Sequence, residues 1–107
     1  MSEDEALVLE DYQGRPIRLT AERRAHILDH PEMSDQFDRI RATLAQPEFI
    51  VATSVDESVR VYHRLFTVTP VTSKYLPVAV KLLEDDAFIL TAFFSSRQKK
   101  GNVIWQT

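Results

Sequence analysis

Val59-Arg60-Val61-Tyr62-His63-Arg64-Leu65-Phe66 decides the fold, because it alternates with a period of two and is rich in β-branched and aromatic residues. A strand is expected there. Upstream, Phe49-Ile50-Val51-Ala52-Thr53 is also β-rich, and the turn cluster Asp56-Glu57-Ser58 separates the two runs, so a hairpin is the natural reading. Downstream, Val68 to Ser73 is a polar, Thr-rich connection containing Pro70. Tyr75 to Leu83 and Ala87 to Ser95 then read as two further strands around the acidic turn Glu84-Asp85-Asp86. The basic loop Arg97-Gln98-Lys99-Lys100 leads to Gly101, and Asn102 to Trp105 supplies a last short edge strand.

Before the hairpin the hydrophobic period is that of helices. Thr20 is a good N-cap for a helix with Glu22 in its first turn and Ala21, Ile27 and Leu28 on its apolar stripe, ending near His30 because Pro31 disfavours helical geometry at the preceding residue. Ser34 offers the N-cap of a second helix, in which Phe37, Ile40, Arg41 and Leu44 recur at helical spacing and which Pro47 ends. Ahead of both, Leu7 to Tyr12 reads as a strand, and Gly14 and Pro16 turn the chain so that Ile17-Arg18-Leu19 pairs back. Early helices and a late run of strands predict an α+β domain, with N-terminal helices packed on one face of an antiparallel meander of four strands or more.

With 107 residues the chain has room for one domain, and 44% hydrophobic with 27% charged residues is an ordinary globular composition. Residues 1–18 are expected as a hairpin extension and 19–105 as the core. There is no cysteine, so neither a disulfide framework nor a thiolate site is available. The opening Met1-Ser2-Glu3-Asp4-Glu5-Ala6 is acidic, unlike a signal peptide, and no apolar run approaches the roughly 18 residues of a membrane span. A soluble, cytoplasmic protein is expected. The formal net charge of −3 hides an asymmetry: residues 1–59 hold six arginines against thirteen acids, and residues 60–107 hold seven cations against three acids. An anion-binding face is compatible with that distribution despite the acidic total.

The period of two places Val59, Val61, His63 and Leu65 with Val78, Val80, Leu82 and Phe88, Leu90, Ala92, Phe94 beneath the helices. The opposite, open face then carries Arg60, Tyr62, Arg64, Phe66, Lys81, Thr91, Phe93 and Ser95. Arg64 and Lys81 on neighbouring strands, with Tyr62 and Thr91 close by, are cations and donors suited to a phosphate, and Tyr62 or Phe93 is placed to stack a base. The same surface read plainly is an exposed sheet face with cationic stems lying over aromatics. Lys99 and Lys100 form a compact loop able to meet a phosphate backbone. His26 and His30, at i and i+4, share a helical face and could chelate a metal, but the zincin pattern needs Glu where Ile27 stands and its inverse needs Glu where Asp29 stands. His26 is alternatively an acid or base near neutrality, and His63 a hydrogen-bonded core histidine. With two glycines in the chain there is no P-loop or dinucleotide fingerprint.

Leu19-Thr20-Ala21-Glu22-Arg23-Arg24-Ala25-His26-Ile27, His30-Pro31-Glu32, Thr43-Leu44-Ala45-Gln46-Pro47-Glu48, Val61-Tyr62-His63-Arg64, Val78-Ala79-Val80-Lys81, Phe88-Ile89-Leu90-Thr91-Ala92-Phe93 and Lys100-Gly101-Asn102-Val103-Ile104-Trp105 follow one another in an order that resembles the phage and prophage-associated members of the barnase–EndoU–colicin–RelE (BECR) nuclease superfamily. The resemblance implies a barnase-like fold of helices on an antiparallel meander. It also implies RNA cleavage without a metal or other cofactor, by attack of a 2′-hydroxyl on the adjacent phosphate in a toxin-like or phage-related protein. By that likeness His26 is the base or acid, Arg64 and Lys81 are the strand cations, and Thr91 is the hydroxyl, with His30 and Glu32 supporting the helix turn. RNA is the implied partner, and a cognate inhibitor protein accompanies a toxin-like role. A dimer through the edge strand Asn102 to Trp105 is compatible with the pattern. The other reading is a non-catalytic α+β module that binds a protein or nucleic acid through the same sheet face.

Overall fold

A computed structural model describes residues 7–107; the acidic opening, residues 1–6, lies outside the described residues. The first strand, β1 (Leu7–Glu10), turns through Gly14 at φ 79° into β2 (Pro16–Leu19), and the two pair antiparallel with Leu9 opposite Ile17. Gly14 suits this turn because a left-handed φ carries no Cβ penalty for glycine. Asp11 fastens the same turn: its Oδ1 accepts the Gln13 and Arg15 amides, each at 2.9 Å.

Helix α1 (Ala21–Leu28) starts where expected, with the Thr20 hydroxyl accepting the Arg23 amide at 3.2 Å. It stops before His30, which is extended at φ −91°, ψ 107° ahead of Pro31, so His26 and His30 do not share a helical face. Pro31–Met33 forms one 3-10 turn, and helix α2 (Phe37–Ala45) begins after it. The N-cap of α2 is Gln36 rather than Ser34, because the 3-10 turn occupies the chain as far as Ser34.

Strands β3 (Phe49–Ala52) and β4 (Val59–His63) form the expected hairpin, with Val51 opposite Val61. The period-two run does not continue as one strand. It breaks at Arg64, and β5 (Leu65–Phe66) leaves to pair with β6 (Lys74–Tyr75) in a small second sheet. After Pro77, β7 (Val78–Leu82) pairs with β4, then β8 (Ala87–Ala92) pairs with β7, and β9 (Asn102–Gln106) closes the edge against β3. The main sheet is seven-stranded in the order β1-β2-β8-β7-β4-β3-β9, antiparallel throughout except for the parallel contact of β2 with β8 at Arg18 and Phe88. The α+β architecture, two helices with a mostly antiparallel sheet, is as read from the sequence. The N-terminal hairpin is part of that sheet, with Leu9 and Ile17 inside the core.

Ile27, Met33, Ile40 and Leu44 from the helical segment meet Ile50, Tyr62, Val78, Val80, Ala87, Ile89 and Ala92 from one face of the sheet. Each fully buried Leu or Ile contributes about 1.5–3 kcal/mol relative to exposure. Val78, Val80, Ala92 and Phe94 face this core as expected. The facing of β4 is reversed: Tyr62 enters the core, while Val61 and His63 point to the other side. In β8 the alternation switches mid-strand, because Ala79 lies opposite Thr91 but Val80 opposite Ile89, leaving Leu90 as a bulge. Ile89 is therefore in the core in place of Phe88 and Leu90. No helix among the described residues is long and apolar enough to cross a membrane.

Tyr62 carries the first quantitative expectation. Its hydroxyl donates to Asp11 Oδ2 at 2.8 Å within the core, and burial first, then this bond, pushes the phenol well above its usual range. Tyr62→Phe leaves one oxygen of a nearly buried carboxylate without its donor and should cost about 1.5–3 kcal/mol. Urea unfolding checks this; a loss below about 0.5 kcal/mol would show that water replaces the hydroxyl without penalty.

Candidate functional site

Strands β8 and β9 are sequential but lie at positions separated by β7, β4 and β3, so residues 93–101 cross the face of the sheet opposite the helices. They form a basic strap containing Arg97, Lys99 and Lys100. Three attachments of its backbone hold it, beside a side-chain bond from Gln98 Nε2 to the Tyr75 hydroxyl at 3.1 Å. Ser95 bridges to Tyr75, with amide-to-carbonyl bonds of 2.8 and 2.9 Å. The Lys99 amide donates to His63 Nε2 at 3.0 Å. Gly101, at φ 153°, is pressed against Val51 and the Ala52 carbonyl.

Beneath the strap lies a groove of about 290 Å³ whose floor is Val59, Val61, Pro77 and Ala79 and whose walls include Thr91, Phe93, Lys99 and Lys100. An apolar floor with a few polar and cationic groups at its rim is the usual make-up of a ligand site. Lys81 stands on the same sheet face, opposite Val59, and its Nζ is held by Asp56 Oδ2 at 2.5 Å. That bond, helped by the Ser58 hydroxyl and amide, lowers the Asp56 carboxyl to about 2. Phe93 is already engaged: the His30 ring stacks on it at 5.6 Å and Lys99 Nζ lies over it at 4.8 Å. Glu32 Oε1 is 3.8 Å from His30 Nδ1, so the imidazole stacked on this groove wall has a carboxylate beside it.

Of the residues singled out in the sequence, the fold collects Lys81, Thr91, Phe93, Lys99 and Lys100 on one face. Three others lie elsewhere. Tyr62 faces the core and bonds Asp11. Arg64 follows the end of β4 and turns toward the helix side, where its Nη1 donates to the Gln46 carbonyl at 2.7 Å and its guanidinium lies over Phe66. His26 is solvent-exposed on α1, and among the described residues no group of three or more His, Cys, Asp or Glu is arranged so that it could hold a metal ion. One participant was not read from the sequence, and one was read in another role. Asp56, the partner of Lys81, had only its place in a turn cluster as a signal. His30, read as a chelator with His26 or as support of the helix turn, reaches Phe93 because the chain extends before Pro31, a break legible in itself but not as this contact.

His63 is fully buried between the sheet and the strap. Its Nδ1 lies 3.0 Å from the Val61 carbonyl, which only accepts, while Nε2 receives the Lys99 amide; the ring is therefore the neutral Nδ1–H tautomer. Phe49 stacks on it at 4.4 Å. Burial, reinforced by the Lys99 charge and opposed by the Val61 carbonyl, pushes it down to about 4. Because the folded value lies below the unfolded one of about 6.5, the unfolded chain binds the extra proton between them. The stabilisation is complete above about pH 6.5 and lost as pH falls toward 4, up to about 3 kcal/mol at about 1.4 kcal/mol per pKa unit. Urea midpoints across that interval should fall accordingly; a flat profile would contradict the buried neutral imidazole.

A scan against protein-family models, a search of curated proteins and a search of solved structures each found no match to this chain.

Proposed function

We propose that the groove beneath the basic strap binds a single-stranded segment of RNA. The observation that carries this reading is the convergence of Lys99, Lys100, Thr91 and Phe93 on an apolar floor of Val59, Val61 and Ala79. Phosphates are the natural partners of the two ammonium groups, and a planar base is the natural partner of the floor. A duplex keeps its bases stacked and would not offer one to such a groove, which favours a single strand. The choice of RNA over DNA, like a barnase-like identity for the fold, rests on the resemblance to BECR nucleases.

The Lys81–Asp56 pair supplies a graded test of the electrostatics. Paired with Asp56, Lys81 presents little net charge to a polyanion. Asp56→Asn removes the competing carboxylate, and its expected result is severalfold tighter RNA binding with a salt slope steeper by about 0.7, the value of one added phosphate contact on a single strand. Fluorescence anisotropy across a salt series measures both; unchanged affinity and slope would remove Lys81 from the surface.

A second reading, metal-independent cleavage of the bound strand, is favoured by one observation: His30 stacks on Phe93, a wall of the groove, with Glu32 beside it. In that chemistry His30, rather than His26, would take the 2′-hydroxyl proton as the hydroxyl oxygen bonds to phosphorus and the 5′-oxygen leaves. Purified protein is incubated with labelled single-stranded RNA in a chelator, reading retention and cleavage together. Retention without cleavage indicates a binding module. Cleavage lost in His30→Ala and kept in His26→Ala indicates a ribonuclease centred on His30. Absence of both retention and cleavage at low salt would refute the proposal.

A further inference from the structure

We propose that His63 is the positioning residue of the RNA groove: its neutral imidazole clips the strap to the sheet and so fixes where Lys99 and Lys100 stand. The inference rests on the RNA-binding reading, but the clip itself is testable without RNA. Between Arg97 and Gly101 two hydrogen bonds tie the strap to the body of the domain, and the one made by the strap backbone runs from the Lys99 amide to His63 Nε2. The bonds at Ser95 and at the Gln98 side chain go to Tyr75, before Lys99, and Gly101 is held after it by close packing. The backbone that carries the two cations is thus anchored at one atom of one buried side chain.

Burying a histidine among Phe49, Tyr75 and Val61 is costly unless both ring nitrogens are satisfied. Both are, and by partners with opposite demands. The Val61 carbonyl requires a donor at Nδ1, and the Lys99 amide requires an acceptor at Nε2. A leucine would fill the space better than a polar ring, so a core role alone does not call for histidine here. An acceptor turned toward the strap explains the choice. The side chain touches the strap backbone and not the groove contents, so it acts through Lys99 and Lys100 rather than on the ligand.

The test compares His63→Leu, which fills the space without an acceptor, with His63→Gln, whose amide keeps one donor and one acceptor. Two readouts are taken on folded protein: hydrogen exchange of the Lys99 amide and affinity for a single-stranded RNA. In His63→Leu the Lys99 amide should exchange at least tenfold faster while Val51 and Val61 amides hold, and RNA affinity should fall about tenfold; His63→Gln should recover most of both. Unchanged Lys99 exchange in folded His63→Leu overturns the clip. Faster exchange with unchanged RNA affinity overturns the positioning role. If the wild-type protein binds no RNA, the functional reading fails, and the exchange arm still decides the clip. Should His63→Leu not fold, nitrogen-15 imidazole spectra of the wild type decide the matter: a neutral Nδ1–H tautomer with Nε2 accepting supports it, and an Nε2–H tautomer overturns it.

Discussion

Gly101→Ala should lower stability by about 4 kcal/mol, the largest effect expected of a one-methyl change in this chain. Gly101 sits at φ 153°, a backbone region essentially reserved for glycine, so an alanine there costs about 1–3 kcal/mol in strain alone. The added methyl would also press into the Val51 side chain and stand 2.5 Å from the Ala52 carbonyl oxygen. Relief requires prising the start of β9 away from β3, at a further cost of about 1–3 kcal/mol typical of overpacking. Gly14→Ala is the internal control: its φ of 79° is also left-handed, but a Cβ there meets nothing within 4 Å. It should cost only about 1 kcal/mol. Urea unfolding of the two variants side by side measures the difference, and a Gly101→Ala loss no larger than that of Gly14→Ala would contradict the close passage of the strap over β3.

Replacing both strap lysines, Lys99→Ala with Lys100→Ala, should reduce affinity for single-stranded RNA about 50-fold at about 50 mM salt and leave stability nearly unchanged. Both side chains are exposed at the rim, so little packing is lost. Each phosphate contact on a single strand contributes about 0.7 to the slope of log affinity against log salt, so removing two lowers the slope by about 1.4 and the difference fades toward about 1 M salt. The Lys99 amide survives in alanine, so the hydrogen bond to His63 is kept and the change reports on charge. A double variant that binds as tightly as wild type with the same salt slope would place the phosphates elsewhere.

Much of the fold is legible because local signals and tertiary demands agree. The Thr20 cap, the stop before Pro31, the β3–β4 hairpin and the last edge strand all appear where the residues put them. The facing of β4 was not legible for a physical reason. Val61, Tyr62 and His63 are all buried because the strap covers one side of the strand and the helices cover the other, so alternation no longer distinguishes in from out. The bulge at Leu90 has the same effect in β8, since one extra residue exchanges the faces of everything before it. Thr91 and Phe93 lie after the bulge, so their expected face is the one observed.

The candidate site divides along the same line. Lys81, Thr91, Phe93, Lys99 and Lys100 come together because β7, the second half of β8 and the strap follow the expected alternation or cross the sheet directly. Tyr62 falls outside with the reversed facing of β4, and Arg64 because the strand ends before it and the chain departs toward β5. The route of the strap over three strands is a non-local property of strand order, and short-range patterns carry no information about it. The charge asymmetry gains a location from that route. The basic strap crosses the open face, while the acidic turn Glu84-Asp85-Asp86 lies with Arg15 and Arg18 around a different cavity.

The binding of a short single-stranded RNA, followed residue by residue through amide and methyl chemical shifts, tests the central claim most directly. Shifts concentrated at Val59, Val61, Ala79, Thr91, Phe93, Lys99 and Lys100, with Tyr62 and Arg18 unmoved, are the predicted result. Shifts centred on the Arg15, Arg18 and Asp86 cavity, or none at low salt and high RNA concentration, would contradict it.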